Sequence, residues 1–119
     1  MTDIRNARSV IEGVSGNYRV TGKYKAKGLT SPSPTDCLVL AYASVLSCNV
    51  VTDDGGMRFL ATELTIPIMG SHELLKVMLD HNKIQISDVQ SAARYLDYAK
   101  DLPRAWRSES ERLFGVTLP

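Results

Sequence analysis

The sequence holds only two cysteines in 119 residues, Cys37 and Cys48. That excludes a disulfide-built scaffold, and their spacing matches no zinc or redox motif. Reduced thiols in a cytoplasmic protein are the expectation. No apolar run approaches the roughly 20 residues that cross a bilayer. The opening stretch, MTDIRNARSV, lacks the apolar core of a secretory signal, so no membrane role is expected. Charge of one sign is also missing. Fourteen basic and thirteen acidic residues leave a formal charge of +1, which excludes a basic footprint over the whole chain but not a local patch. There is no phosphate-cradling glycine loop and no nucleophile elbow. The histidines, His72 and His81, are spaced too far apart to share a helical face as metal ligands, and they read as surface or core residues.

What is present is an ordinary globular composition. Hydrophobic residues at 44% and charged residues at 23% argue against disorder. The length suits a single domain spanning residues 1–119, able to bury roughly two-thirds of its unfolded surface. Ile4, Ala7, Ile11 and Val14 recur at helical spacing and predict a short helix over 3–14, stopped by Gly13, Ser15, Gly16 and Asn17. Tyr18, Val20 and Tyr24 suggest a weak strand or hairpin within an exposed stretch over 18–30. Ser33, Pro34 and Asp36 then write a helix start, with a cap, a proline at the first helical position and an acid at the third. The helix that follows, about 35–47, is apolar on nearly every side and is predicted to lie deep in the core.

Val50-Val51-Thr52 is a β-branched run ending in the turn Asp53-Asp54-Gly55-Gly56. A helical pattern through Met57, Leu60, Ala61 and Leu64 follows. Ile66-Pro67-Ile68-Met69 reads as a second strand, with Pro67 at an edge or start. Gly70-Ser71 opens a helix through Leu79. Two further helices are predicted, one striped by Val89, Ala93 and Leu96, the other restarted by Pro103 and carrying Trp106 as a core residue. Strand, helix, strand, helix with short connections predicts an α/β fold, with a small parallel sheet flanked by helices.

In open α/β sheets, ligands bind beyond the carboxyl ends of the strands. Thr52, Asp53 and Asp54 lie at such an end, and Asp36 heads the preceding helix. Two or three carboxylates there suit Mg²⁺ or Mn²⁺, which take oxygen ligands and keep several waters. Each acid also has a purely structural reading, Asp36 as a helix cap and Asp53-Asp54 as turn and cap chemistry. Arg19, Lys23, Lys25 and Lys27, interleaved with Tyr18 and Tyr24, would grip single-stranded RNA by charge and stacking, or form a solvated loop.

The run Asp36-Cys-Leu-Val-Leu-Ala-Tyr-Ala43, then Val50-Val51-Thr52-Asp53-Asp54, then Met57-Arg58 and Ala61 resembles the C-terminal half of a PIN domain. Ile66-Pro67-Ile68-Met69-Gly70-Ser71 followed by Leu74-Leu75 is similar to a subgroup of that family. The match covers about residues 36–81. PIN domains are typically Mg²⁺- or Mn²⁺-dependent ribonucleases, and many are toxins paired with an antitoxin protein. The resemblance implies that Asp36 and Asp54 are acids of the site, with Asp53 as a further metal ligand. Thr52 would be the supporting hydroxyl. Glu12 is the one helical candidate for an additional acid. The family's first, central strand has no counterpart ahead of Asp36, so the chain resembles a PIN domain lacking its N-terminal part. A sheet so reduced exposes an edge, which favours pairing with another chain and a homo-oligomer. The alternative is a truncated or degenerate remnant that binds RNA or a protein partner without catalysis. A plain helical domain would follow if 50–52 and 66–69 were not paired strands.

Overall fold

The computed structural model describes residues 2–119. The chain forms two compact units, one ending at Met69 and one running from Gly70 to Pro119. The first contains α1 (Thr2–Val20), α2 (Lys23–Ala26), α3 (Pro34–Leu46), β1 (Val50–Val51), α4 (Gly55–Glu63) and β2 (Ile68–Met69). The second contains α5 (Ser71–Asp80), α6 (Ile86–Tyr98), α7 (Arg104–Ser108) and α8 (Ser110–Phe114). Most of the chain is helical. The two strands pair in parallel, Val50 with Ile68 and Val51 with Met69, with α4 as the crossover. The coarse α/β expectation therefore stands, and the plain helical alternative does not.

The first unit packs around Leu40, Ala41, Leu60 and Ala61, none of which is exposed. Ile4 and Ile11 of α1 close this core from the other side, with Ala7, Val14 and Tyr18 packed against it. These positions recur at intervals of three and four, so α1 presents a continuous apolar stripe to the core. That stripe corrects the sequence expectation of a stop near residue 14. Gly13 and Gly16 each cost a helix about 1 kcal/mol relative to alanine. The buried stripe continues beyond them, and tertiary packing outweighs the local preference. The helix ends at Val20, and Gly22, which precedes α2, has a φ of 78° in the left-handed region.

The expected strand or hairpin over 18–30 is also corrected. Residues 23–26 are a helical turn, and Tyr18, Tyr24 and Phe59 form an aromatic trio with ring centroids 5.7–6.2 Å apart. A third correction concerns α3. Cys37, Leu40, Ala41 and Ala43 are buried, but Val39, Tyr42, Val45 and Leu46 stand in solvent. One side of this apolar helix is uncovered.

In the second unit, Val89 and Ala93 of α6 meet Trp106, Phe114 and Leu118, as the stripe in the sequence predicts. Trp106 donates its indole N–H to the Ser71 hydroxyl at 2.8 Å. Burial of an indole is tolerable when that donor is satisfied.

One close approach organises the first unit. The chain leading into α3 crosses the start of α4, and a Cβ on Gly56 would lie 1.9 Å from the Thr30 carbonyl oxygen. A Cβ on Gly55 would lie 2.6 Å from the Leu29 Cδ2 atom. Only glycine fits at position 56, because the obstacle is backbone. Gly56→Ala is expected to destabilise the protein by about 2 kcal/mol through overpacking. Gly13→Ala, in a helix with open space around the new Cβ, should stabilise it by about 0.5–1 kcal/mol. Urea unfolding of both variants checks the pair.

Candidate functional site

Asp36 sits at the third position of α3 in a reciprocal cap. The Ser33 hydroxyl accepts the Asp36 N–H at 3.1 Å, and Asp36 Oδ2 accepts the Ser33 N–H at 2.9 Å. Pro34 occupies the first turn, where a missing N–H costs nothing. The local sequence dictates this arrangement, and the structure bears out the expected helix start.

Asp54 caps α4. Its Oδ2 accepts the Met57 N–H at 2.9 Å. Its own N–H donates to the Thr52 hydroxyl at 3.1 Å. Thr52 thus supports Asp54 through the backbone. Arg58 adds a tie that the sequence reading missed. From the first turn of α4 its Nη1 reaches the Thr52 carbonyl at 3.1 Å, closing the strand end onto the helix. The one signal available was a cation placed a turn past a strand–turn–helix junction. Asp53, between Thr52 and Asp54, is exposed.

The two acids belong to connected backbone. β1 follows α3 after a tight turn at Ser47, whose φ of 55° is left-handed. The Thr30 carbonyl against Gly56 then ties the lead-in of α3 to the start of α4. Asp36 and Asp54 each cap a helix start, and it is Thr30, ahead of α3, that meets the start of α4. Helix starts carry partial positive charge, so a cation beside either acid is opposed by a helix end and favoured by the carboxylate. Among the described residues, no group of three or more His, Cys, Asp or Glu side chains lies close enough together to hold a metal ion.

Glu12 lies on α1, 3.0 Å from Arg8 Nε. With Ser15, Arg19, Pro32, Pro34 and Cys37 it lines a pocket of about 210 Å³ beside the start of α3. Burial pushes the Cys37 thiol above its ordinary value of 9.0, and the nearby carboxylates of Glu12 and Asp36 push it the same way. Burial likewise raises Tyr24 above 10.0, partly offset by its hydrogen bond with Ser15. That Ser15–Tyr24 contact, 2.9 Å long and buried, is a polar brace between α1 and α2. Both cysteines are free thiols, Cys37 buried and Cys48 exposed.

Arg19, Lys23, Lys25 and Lys27 are exposed at the end of α1 and along α2. The expected stacking partners are not open. Tyr24 is buried, the Lys23 ammonium lies 4.4 Å from the Tyr18 ring centre, and that of Lys27 lies 5.4 Å from the centre of Phe59. The aromatic rings serve the core and carry the lysines, so this face offers charge rather than stacking. His72 is buried, and no partner for its Nδ1 occurs among the described residues. His81 Nδ1 lies 2.8 Å from the Val77 carbonyl.

No protein-family model, no curated protein and no solved structure matches the chain.

Two outcomes follow from the site's geometry. Asparagine caps a helix about as well as aspartate. Asp54→Asn should therefore unfold within a few tenths of a kcal/mol of wild type, and Asp54→Ala should lose about 1 kcal/mol. Chemical denaturation separates them. Cys37 and Tyr24 both hold their protons more tightly when folded. Above pH 9.0 the unfolded chain releases a proton that the folded chain keeps, so stability should fall as pH rises from there. Cys37→Ala should flatten the early part of that decline in melting temperature.

Proposed function

We propose that the chain is a PIN-like, metal-dependent ribonuclease domain, with Asp36 and Asp54 as the principal acids and Asp53 as a further carboxylate. The observation that supports this reading is that Asp54 caps α4 just past the carboxyl end of β1, beside Asp53, while Asp36 caps the start of α3. Mg²⁺ or Mn²⁺, bound there with its waters, would supply a polarised water and offset charge on a phosphodiester. The chain's own residues do the positioning. Each acid has one oxygen committed to a helix cap, so its carboxylate is held in a fixed orientation. Thr52 and Arg58 stiffen the turn that carries Asp53 and Asp54. Glu12 is the acid available from α1. Arg19, Lys23, Lys25 and Lys27 would draw the RNA backbone by charge. A toxin-like role opposed by an antitoxin-like protein belongs to the same proposal.

Calorimetric titration with Mn²⁺ and a cleavage assay on single-stranded RNA test it. Wild type should bind and cleave. Asp54→Asn, which keeps the cap, should fold and lose activity by about 100-fold or more. Absence of Mn²⁺ binding by wild type would defeat the proposal.

A second reading is a module that binds RNA and cuts nothing. It is favoured by the lack of a three-acid group among the described residues. It predicts RNA affinity that falls steeply with salt, at about 0.7 log units per log unit of salt for each phosphate neutralised. Replacing Lys23, Lys25 and Lys27 with alanine would then abolish binding, and Mn²⁺ would leave it unchanged.

A further inference from the structure

The nuclease reading makes no use of the other side of β1. Val50 and Thr52 donate their N–H groups to the Pro67 and Met69 carbonyls of the β2 segment, at 2.9 Å each. Backbone groups alternate along a strand, so the N–H and C=O of Asn49 and Val51 turn to the opposite edge. The sheet has two strands, so no strand lies on that edge among the described residues. Beside it runs the uncovered side of α3. Val39 is 44% exposed, Tyr42 44%, Leu46 60% and Val51 42%. Together they border a hollow of about 250 Å³ between α3 and β1, and no charged side chain lines it.

We infer that this edge and hollow form a strand-addition site for an extended, uncharged, apolar peptide segment of a partner protein. Backbone pairing to Asn49 and Val51 would supply the hydrogen bonds. Alternate side chains of the added strand would fill the hollow against Val39, Tyr42 and Leu46. The size of the surface selects this occupant. The exposed apolar area is on the order of 300–400 Å². A stable association of two folded copies needs roughly 800 Å² from each. A single strand of five or so residues, about 17 Å long, is the scale of partner that matches. The lining has no charged side chain, so it offers no partner to an acidic or basic side chain seated in the hollow and favours an apolar one.

The probe is a fluorescent, end-blocked peptide of alternating valine and threonine, titrated against the full chain by anisotropy. Binding is expected, with slowed amide exchange at Asn49 and Val51. Val51→Pro removes one edge-facing N–H and leaves the donors to β2 in place, and proline is tolerated on an edge strand. Leu46→Glu puts a charge at the hollow without touching the core. Each variant should weaken the peptide at least about tenfold while circular dichroism stays unchanged. Absence of peptide binding by wild type would overturn the inference, as would equal binding by a folded Leu46→Glu variant. Sedimentation showing wild-type dimers that Leu46→Glu dissociates would overturn it too, by assigning the surface to a second copy.

Discussion

A carbonyl oxygen pressed against a glycine constrains the first unit. Where Thr30 passes Gly56, there is no room for a side chain, and the contact joins the approach to α3 with the beginning of α4. Backbone-to-backbone contact is stiffer than any side-chain interlock, because neither partner has a rotamer to change. Leu29 and Gly55 extend the same contact by one residue on each side.

The acids serve the fold first. Asp36 and Asp54 each satisfy backbone N–H groups that a helix leaves unpaired. Glu73 and Asp88 do the same in the second unit, accepting the N–H groups of Gly70 and Gln85 at 3.0 and 2.8 Å. A carboxylate near a helix start is thus the habit of this chain. What sets Asp54 apart is its place just past the end of β1, beside Asp53. Structural and chemical roles are compatible in one side chain, because a carboxylate has two oxygens and a cap uses one.

α3 shows how an apolar helix takes two fates. Its inner side meets α1 and α4 and is fully buried at Leu40 and Ala41. Its outer side carries residues just as apolar and faces solvent along the unpaired edge of β1. Exposed apolar surface beside open backbone donors and acceptors is a combination that folded proteins ordinarily cover. Elsewhere in the unit, the buried Ser15–Tyr24 bond and the aromatic trio with Phe59 join α1, α2 and α4.

Features set by neighbours three or four residues apart were legible in the amino-acid order. The Ser33–Pro34–Asp36 start, the Asp54 cap, the Val50–Val51 strand, the edge position of Pro67 and the α6 stripe all follow from short-range chemistry, and all are present. The extent of α1 was not legible, because two glycines and a serine argue locally for a stop while distant packing keeps the helix going. Nor was the fate of residues 18–30, whose tyrosines reach Phe59 across about 35 to 40 positions of chain. The crossing of Thr30 over Gly56, the tie from Arg58 to the Thr52 carbonyl and the bare side of α3 likewise required the folded chain. Each depends on which surfaces meet in space, and a pattern of residue types records that a surface is apolar without recording what will lie against it.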